Sequence, residues 1–367
     1  MNTVTVQLEN RTYSVHVGSG ILNELGSMVS EVVPASKYFF VLDENVKFTH
    51  GQTAMQSFSQ ETDACAMQAI EANKTMDSIQ SIWSAMLAHG CNRHVPLIAV
   101  GGGIVGDVGG FAAATFMRGV SLIQVPTTLL AMVDASIGGK TGINLPIGDG
   151  DDRAILGKNL AGSFWQPSLV VVDVDVLQTL EDRHFRCGLA ECVKHAMLGH
   201  GDLLQWLGQH AEEIFERNTE TLVELVTRCA SIKAVVVAED EREIGVRALL
   251  NLGHTFAHAI EPIPELSLFH GEAVSIGLIA SLSCAEAAGM VGADRVDQIR
   301  LVLTTLGLPT RLPIPVQIGE LISIMKTDKK TIDSGIRLVL PTEDSATVVS
   351  GIDDGAIGLA WASVGAS

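Results

Sequence analysis

The chain has 367 residues, of which 47% are hydrophobic, and a formal net charge of −18. That length is sufficient for two domains, each with its own buried core. Binding of nucleic acid needs clustered Lys and Arg side chains, so the acidic balance argues against it. The six cysteines are scattered and form no CxxC pair, which favours a reducing cytoplasm. The N-terminus lacks the features of a signal peptide, and no apolar stretch is long enough to span a membrane.

The first half of the chain has the pattern of alternating strands and helices. Residues 3–8 and 11–17 are predicted to form a hairpin, and residues 75–89 have the apolar spacing of a helix. Further apolar strands are predicted at 37–43, 95–100, 120–126 and 168–174. Strands that alternate with helices indicate a mainly parallel, Rossmann-like sheet that is covered on both faces.

The second half has mostly helical patterns. Helices are predicted at 201–217, 219–238, 247–261, 270–289 and 293–306, with one short strand at 336–341. Residues 145–157 are rich in Gly and Asp and are predicted to form an exposed loop. The sequence therefore predicts an α/β domain over residues 1–180 and an all-α C-terminal domain over residues 181–367.

A glycine-rich segment, GGGIVGDVGGF, follows the strand predicted at 95–100. It contains the pattern G-x-G-x-x-G at Gly101, Gly103 and Gly106, which lets backbone N–H groups approach a pyrophosphate. The acidic residue expected about 20 positions downstream is missing, and Asp43 at the end of an earlier strand is the alternative ribose contact. A tight turn that merely needs glycine is the competing interpretation.

Polar and basic residues follow the strand at 120–126. Thr127 and Thr128 come directly after it, at the edge where α/β sheets bind ligands. Lys140 follows Gly138 and Gly139, so an anionic ligand can approach the bare backbone closely, although a solvated lysine on a loop is the alternative. The same region holds further candidates for an anion site: Arg118, Asp134, Lys158 and Asn159.

Three segments, GLAECVKHA, NLGHTFAHAIE and HGEAV, concentrate ionisable residues in a background of small apolar ones. Burial of such groups is costly unless they pair or bind a metal. His254 and His258 are four residues apart on a predicted helix, a spacing that can hold a metal. A catalytic zinc ion needs three protein ligands, so spacing alone favours this pair with Glu191 or His270 as the third.

Other polar residues flank these segments. Arg247 and Asn251 extend the stripe of His254 and His258 along one predicted helix, where a solvated face would carry Lys/Glu pairs instead. Three lysines are further candidates: Lys194 one turn after Glu191, Lys233 upstream, and Lys329 in KTDKK, for which a solvated charge run is the alternative.

Taken in chain order, these segments resemble the 3-dehydroquinate synthases, a family of sugar-phosphate cyclases. Several long blocks in the same order are far more specific than one glycine motif. They extend over roughly residues 40–340 of the chain. The matching blocks are GGGIVGDVGGFAAATFMRG, QVPTTLLAMVDASIGGKTGIN, GKNLAGSFWQP, GLAECVKHA, DEREIGVRALLNLGHTFAHAIE, HGEAVSIG and DKK.

The resemblance implies a lyase that converts 3-deoxy-D-arabino-heptulosonate 7-phosphate into 3-dehydroquinate and phosphate, a step of the shikimate pathway. NAD oxidises an alcohol transiently, phosphate is eliminated, the hydride is returned and an aldol reaction closes the ring. The implied cofactors are NAD and Zn²⁺, with Co²⁺ as an alternative metal. The implied assembly is a homodimer in which Arg118 reaches the neighbouring subunit's site.

The resemblance also assigns roles to individual residues. Zinc is assigned to Glu191, His254 and His270, which moves His258 from the metal to the substrate phosphate. The phosphate is assigned to Lys140, Asn159, Asn251, His258 and Lys329. The substrate hydroxyls and carboxylate are assigned to Asp134, Lys194, Lys233 and Arg247. NAD is assigned to Asp43, Glu71, Lys74, Gly103, Ile104, Val105, Gly106, Asp107, Thr127, Thr128, Lys140 and Lys158.

Three alternative functions remain at this stage. The segment 145–157 is longer than the resemblance implies, which keeps open a sister cyclase of the 2-deoxy-scyllo-inosose or valiolone type. A zinc- and NAD-dependent polyol dehydrogenase similar to glycerol dehydrogenase would accumulate NADH, whereas a cyclase recycles its cofactor. A ligand-binding protein without turnover is disfavoured, because every catalytic candidate is present.

Overall fold

The computed structural model describes residues 1–9, 11–147, 155–327 and 336–367. Within them the strands are β1 (Asn2–Val6), β2 (Tyr13–Gly18), β3 (Lys37–Asp43), β4 (Glu61–Met67), β5 (Leu97–Gly101), β6 (Leu122–Pro126), β7 (Lys140–Ile147), β8 (Ile155–Phe164), β9 (Leu169–Asp173), β10 (Arg337–Pro341) and β11 (Ala346–Ser350). The helices are α1 (Leu25–Val32), α2 (Gln52–Gln56), α3 (Met76–Ala88), α4 (Gly103–Thr115), α5 (Asp182–Met197), α6 (Gly201–Gln209), α7 (Ala211–Phe215), α8 (Thr219–Glu239), α9 (His254–Ile260), α10 (His270–Ala287), α11 (Ala293–Thr305), α12 (Ile318–Thr327) and α13 (Asp354–Ser363).

The chain divides into two compact units, residues 1–180 with 219–242 and residues 181–218 with 243–367. The predicted division at residue 180 therefore misassigns α8, which packs on β1 and β2 of the first unit. The buried face of α8, with Leu222, Leu225 and Val226, needs an apolar partner, and the sheet provides one. Periodicity predicts the helix correctly but does not tell which element it covers.

The first unit is built on a seven-stranded sheet with the strand order β1-β2-β9-β6-β5-β3-β4. As predicted, β1 and β2 are antiparallel, and the other neighbours pair in parallel. Strands β5, β6 and β9 are buried along their whole length, as strands covered on both faces require. Because β3, β5 and β6 run in the same direction, the residues that follow them meet at one edge of the sheet.

A hairpin in the first unit corrects the loop predicted at 145–157. Strands β7 and β8 are antiparallel, with Leu145 opposite Gly157 and Pro146 opposite Leu156. Residues 148–154 of this segment lie outside the described residues. The prediction was wrong for residues 145–147 and 155–157, because composition averages these paired residues with the Gly- and Asp-rich sequence between them.

The second unit is mainly helical, as predicted, but it is not all-α, because the strand predicted at 336–341 pairs with β11 in a hairpin. Helix α10 is buried almost completely between Ala273 and Leu282, and α5, α9, α11 and α13 pack around it. A helix surrounded in this way has to be apolar on all sides. The helix predicted at 201–217 is divided into α6 and α7 at His210.

The continuous helix predicted over 247–261 is also wrong. A 3-10 turn over Val246–Asn251 is followed by Gly253 with φ +80°, and α9 begins only at His254. Glycine adopts this conformation at little cost, and a Cβ at Gly253 would lie 3.0 Å from the backbone N of Leu278. Arg247 and Asn251 therefore do not continue the helix that carries His254, and the predicted polar stripe does not form.

Two general features agree with the sequence. No helix in the described ranges combines the length and the apolar character needed to cross a membrane. The six cysteines, all among the described residues, form no disulfide, and burial raises the pKa of several of them, that of Cys65 to about 12. A buried thiol with a raised pKa acts as a small apolar residue rather than as a nucleophile.

Candidate active site

The carboxyl edge of the large sheet gathers several of the predicted cofactor residues. Asp43 ends β3, is 8% exposed and accepts a hydrogen bond of 2.9 Å from the Asn45 N–H. Gly101 ends the neighbouring β5, and a Cβ there would lie 3.1 Å from the Cβ of Asp43. The Thr127 N–H, after β6, donates to the Gly101 carbonyl over 2.9 Å. Three strand ends therefore place Asp43, Gly101 and Thr127 next to one another.

The glycine-rich segment forms both a turn and a tight packing interface. Gly102 precedes α4, so the turn delivers the first backbone N–H groups of that helix to the sheet edge. Farther along, a Cβ at Gly106 would lie 2.9 Å from Gln124 Oε1, and a Cβ at Gly110 would lie 2.4 Å from Thr141 Cγ2. The later glycines therefore let α4 approach β6 of the sheet and β7, a packing role that neither interpretation of the motif predicted.

Lys74 is the centre of a polar network in the first unit. Its side chain is almost fully buried, and its Nζ lies 2.5 Å from Asp107 Oδ2 and 2.5 Å from Asn159 Oδ1. Burial raises the pKa of Asp107, although the charge of Lys74 acts in the opposite direction. Glu71, one turn before Lys74, accepts a hydrogen bond of 2.7 Å from Asn144 Nδ2. The structure thus brings together residues from separate segments that are predicted to bind NAD or the substrate phosphate.

A second ion pair of the first unit joins two residues predicted to bind substrate. Lys233 on α8 is buried, and its Nζ lies 2.8 Å from Asp134 Oδ1 and also contacts the Asp134 carbonyl. Asp134 lies in the short helical turn Ala131–Ala135 and is partly exposed. Packing of α8 on the first unit, which the predicted domain boundary missed, is what brings the pair together.

Other predicted residues of the first unit are more accessible. Thr128 accepts a hydrogen bond of 3.2 Å from the Ala131 N–H, while Lys140 and Lys158 are exposed on β7 and β8. Arg118 is exposed in a turn where it has φ +67° and the preceding Met117 has φ +50°. Side chains other than glycine rarely adopt such angles, and strain of this kind is concentrated at functional positions.

In the second unit, Glu191, His254 and His270 form the one group of metal-ligating side chains found among the described residues. One ligand atom of each lies within 4.8 Å of the others. Glu191 Oε1 is 3.5 Å from His254 Nε2 and 3.7 Å from His270 Nε2. His258 contacts the His254 ring edge-on at a centroid distance of 5.7 Å but is not part of the group.

Each side chain of this group is oriented by a further contact. His254 Nδ1 lies 3.1 Å from the Leu252 carbonyl, and His270 Nδ1 lies 3.3 Å from Glu261 Oε1. Both histidines therefore direct Nε2 towards Glu191, the arrangement that metal-binding histidines usually have. Lys194 forms an ion pair with the other carboxylate oxygen of Glu191, which leaves Oε1 facing the histidines.

The electrostatic surroundings make the two imidazoles different. Burial lowers the pKa of His254 to about 3, so this ring is neutral, which is the form that binds a metal. Burial also lowers the pKa of His270, but its hydrogen bonds to Glu191 and Glu261 outweigh that effect and raise the pKa to about 9. A metal ion at this group would have to displace the proton of His270.

Two glycines of α10 explain why three helices bring these side chains together. A Cβ at Gly271 would lie 2.2 Å from the carbonyl oxygen of Cys187, so α10 touches the backbone of α5 one turn before Glu191. A Cβ at Gly277 would lie 2.2 Å from the Gly253 carbonyl, directly before His254. The close approach of α5 and α9 to α10 therefore depends on the absence of side chains at these two positions.

The remaining predicted residues of the second unit are less closely connected with this group. Arg247 is completely buried, and Asn251 donates a hydrogen bond of 2.7 Å to Glu243 Oε1. Lys329 lies outside the described residues.

Sequence reasoning missed two residues that hold predicted site residues in place. Glu261 closes the block NLGHTFAHAIE, and Asn144 closes the block QVPTTLLAMVDASIGGKTGIN. The sequence did contain a signal for both, since each is a polar residue that ends a motif and follows an apolar residue. Their partners are 9 residues away for Glu261 and 73 residues away for Asn144, and spacing does not reveal such contacts.

Comparison with known proteins agrees with this arrangement. Residues 64–187 match the family model described as "3-dehydroquinate synthase N-terminal", and residues 188–331 match "3-dehydroquinate synthase C-terminal". A 3-dehydroquinate synthase of Nitrosococcus oceani is 39% identical over 358 residues, which cover 96% of each chain. Another from Nitrosomonas europaea is 40% identical over 336 residues, covering 90% of this chain and 88% of the relative.

A solved structure shows the same fold. The 2-epi-5-epi-valiolone synthase of Streptomyces hygroscopicus, with NAD⁺ and Zn²⁺ bound, superimposes with a TM-score of 0.86 at 27% identity and covers 98% of both chains. Its identity to this chain is well below the 39% of the Nitrosococcus relative. The matches to both family models and to full-length relatives show that the chain belongs to the 3-dehydroquinate synthase family of enzymes.

Proposed function

We propose that this member of the 3-dehydroquinate synthase family uses NAD and a divalent metal ion to convert 3-deoxy-D-arabino-heptulosonate 7-phosphate into 3-dehydroquinate and phosphate. One observation carries the proposal. Glu191, His254 and His270 converge in a chain that is 39% identical to a 3-dehydroquinate synthase over 96% of its length.

The residues of the second unit suit Zn²⁺ or Co²⁺. One carboxylate and two imidazoles supply three ligands and leave a coordination position open, as catalytic zinc sites require. The contacts of Leu252 and Glu261 with the two histidines support the same role. When bound, the metal ion polarises a substrate oxygen and stabilises negative charge that develops on it. Lys194 pairs with the second oxygen of the Glu191 carboxylate, so Oε1 remains directed at the two histidines.

The residues of the first unit suit NAD. Asp43 at the end of β3 is positioned to accept hydrogen bonds from a ribose, and the turn from Gly103 to Asp107 offers backbone N–H groups to a pyrophosphate. When bound, NAD accepts a hydride from the substrate and returns it later. The other proposed contacts are Glu71, Lys74, Thr127, Thr128, Lys140 and Lys158.

The substrate carries a phosphate and a carboxylate, so it requires cations in an otherwise acidic protein. We assign its phosphate to Lys140, Asn159, Asn251, His258 and Lys329, and its hydroxyls and carboxylate to Asp134, Lys194, Lys233 and Arg247. In this assignment Lys233 holds the Asp134 carboxylate, which then accepts a hydrogen bond from a substrate hydroxyl. The lack of disulfides among the six cysteines supports a cytoplasmic location, where such small phosphorylated substrates occur.

The strained turn at Arg118 supports a homodimer in which this side chain completes the partner's site. Arg118 is exposed and makes no hydrogen bond or ion pair with any other described residue. Subunit complementation tests the arrangement. Mixed dimers of Arg118→Ala and Glu191→Gln chains would regain about a quarter of the wild-type activity, because each heterodimer keeps one intact site. Two inactive variants that stay inactive after mixing would contradict it.

The decisive test of the proposed function is a phosphate-release assay on protein stripped of metal. Without metal we expect no release from 3-deoxy-D-arabino-heptulosonate 7-phosphate and NAD, and addition of Zn²⁺ or Co²⁺ should restore it without net formation of NADH. Steady accumulation of NADH would identify a polyol dehydrogenase. Faster turnover of another sugar phosphate in the same assay would identify a sister cyclase, and no release with any metal would refute the proposal.

A further inference from the structure

Asn144 is a buried polar residue of the first unit that uses both ends of its side-chain amide. It is 1% exposed and lies in β7. Its Nδ2 donates to Glu71 Oε1 over 2.7 Å, and its Oδ1 accepts a hydrogen bond of 2.9 Å from the Asn159 N–H. Its backbone N–H donates to the Lys74 carbonyl over 2.8 Å. One residue therefore ties the Glu71–Lys74 turn to β8.

The segment that Asn144 holds has an unusual backbone. Asn159 has φ +54°, in the left-handed region that asparagine tolerates better than most residues. Two contacts keep it there, since Asn144 accepts its N–H and Lys74 donates to its side-chain oxygen. Lys74 also pairs with Asp107. The resulting chain of contacts runs from Glu71 through Asn144, Asn159 and Lys74 to Asp107.

Under the proposed function, this chain joins two kinds of residue. Glu71, Lys74 and Asp107 are assigned to NAD, whereas Asn159 is assigned to the substrate phosphate. We infer that Asn144 is a positioning residue that fixes the NAD contacts and the phosphate contact relative to each other. The inference rests on the proposed function, because the two ligands come from that assignment. A disturbance at Asn144 should weaken the binding of both ligands, while a change at Glu71 should affect NAD alone.

The sharpest variant is Asn144→Asp, which keeps the acceptor for the Asn159 N–H but replaces the donor to Glu71 with a carboxylate. Two carboxylates would then face each other in a largely buried place, and their repulsion should displace the Glu71–Lys74 turn from β7. We expect the dissociation constant of NAD to rise about tenfold or more, and the KM of the sugar phosphate to rise by a similar factor. Isothermal titration calorimetry and steady-state kinetics measure the two values.

A second substitution tests whether the lost hydrogen bond between positions 144 and 71 causes the weaker binding of both ligands. In the double variant Asn144→Asp/Glu71→Gln, the amide introduced at position 71 can donate to the carboxylate introduced at position 144. Both constants should return to those of the Glu71→Gln single variant. The exposed Asn92 is the matched control, because Asn92→Asp makes the same chemical change and should leave both constants as in the wild type.

Several results would overturn the inference. It fails if Asn144→Asp changes neither constant, if it changes only one of them, or if the double variant shows no recovery. If Asn144→Asp does not fold, Asn144→Ser removes the same amide without adding a charge and should raise both constants severalfold. Failure of the proposed function would appear differently, because the wild-type protein itself would then either not bind NAD or release no phosphate from the sugar phosphate.

Discussion

The two units position the side chains that are predicted to bind ligands in different ways. In the second unit, Glu191, His254 and His270 come from three helices that approach one another through glycine contacts at Gly271 and Gly277. In the first unit, Lys74 and its partners are held by hydrogen bonds between a turn, a helix and a hairpin. Close backbone packing sets the geometry of the metal-ligating group in the second unit, whereas side-chain hydrogen bonds set that of the Lys74 network in the first unit. Substitutions should therefore act through different routes in the two places.

The largest effect should come from the proposed metal ligands. His270→Ala removes one of three ligands, and we expect this variant to lose zinc under conditions where the wild type retains about one ion per chain. His258→Ala should keep its zinc and lose turnover, because His258 lies outside the group of three. Metal content after gel filtration and phosphate release measure the two effects. Equal zinc loss in both variants would instead favour a ligand pair of His254 and His258.

Helix packing around the metal group can be tested without touching a ligand. Gly271→Ala places a methyl group 2.2 Å from the Cys187 carbonyl oxygen, and neither backbone can yield easily. We expect the free energy of unfolding to fall by about 2–3 kcal/mol and zinc affinity to fall with it. Gly319→Ala is the control, because a Cβ there meets nothing within 4 Å. Urea unfolding should show the control unchanged or more stable by about 0.5 kcal/mol.

Loss of the contact between Glu261 and His270 should have a smaller effect, and this effect should be limited to metal affinity. Glu261→Gln keeps the shape of the side chain but removes the charge that orients His270. Zinc affinity, measured by competition with a chromogenic chelator, should fall about 10- to 100-fold. The exposed Glu265 provides the matched control, since Glu265→Gln should leave the affinity unaltered. An unchanged affinity in Glu261→Gln would remove Glu261 from the metal site.

In the first unit, removal of Lys74 should affect stability in a pH-dependent way. Burial raises the pKa of Asp107, so ionisation of this carboxyl destabilises the fold, and Lys74 limits the loss. Asp107 contributes most below the pKa of the unfolded chain, and its contribution falls as pH rises through the folded pKa. Lys74→Met should therefore cost about 2 kcal/mol near pH 7 and clearly less near pH 4. A difference in unfolding free energy that does not change with pH would contradict this account.

A related contrast, between local patterns and contacts of distant residues, explains which features the sequence predicts. Buried strands such as β5 and β9 and the helix α10 follow directly from apolar patterns, and the family blocks lead to Glu191, His254 and His270. Patterns do not predict the break at Gly253, because it depends on the packing of its backbone against Leu278. They also do not predict that α8 belongs to the first unit or that Asn144 contacts Glu71. Such features depend on pairings between residues that are distant in the chain.

The central claim is that one carboxylate and two imidazoles of the helical unit bind a single metal ion. Anomalous diffraction at the zinc absorption edge, from crystals grown with Zn²⁺, tests it most directly. We expect one strong peak about 2.0–2.2 Å from an oxygen of Glu191 and from the Nε2 atoms of His254 and His270. A peak between His254 and His258 without Glu191, or no peak near Glu191, would contradict the account.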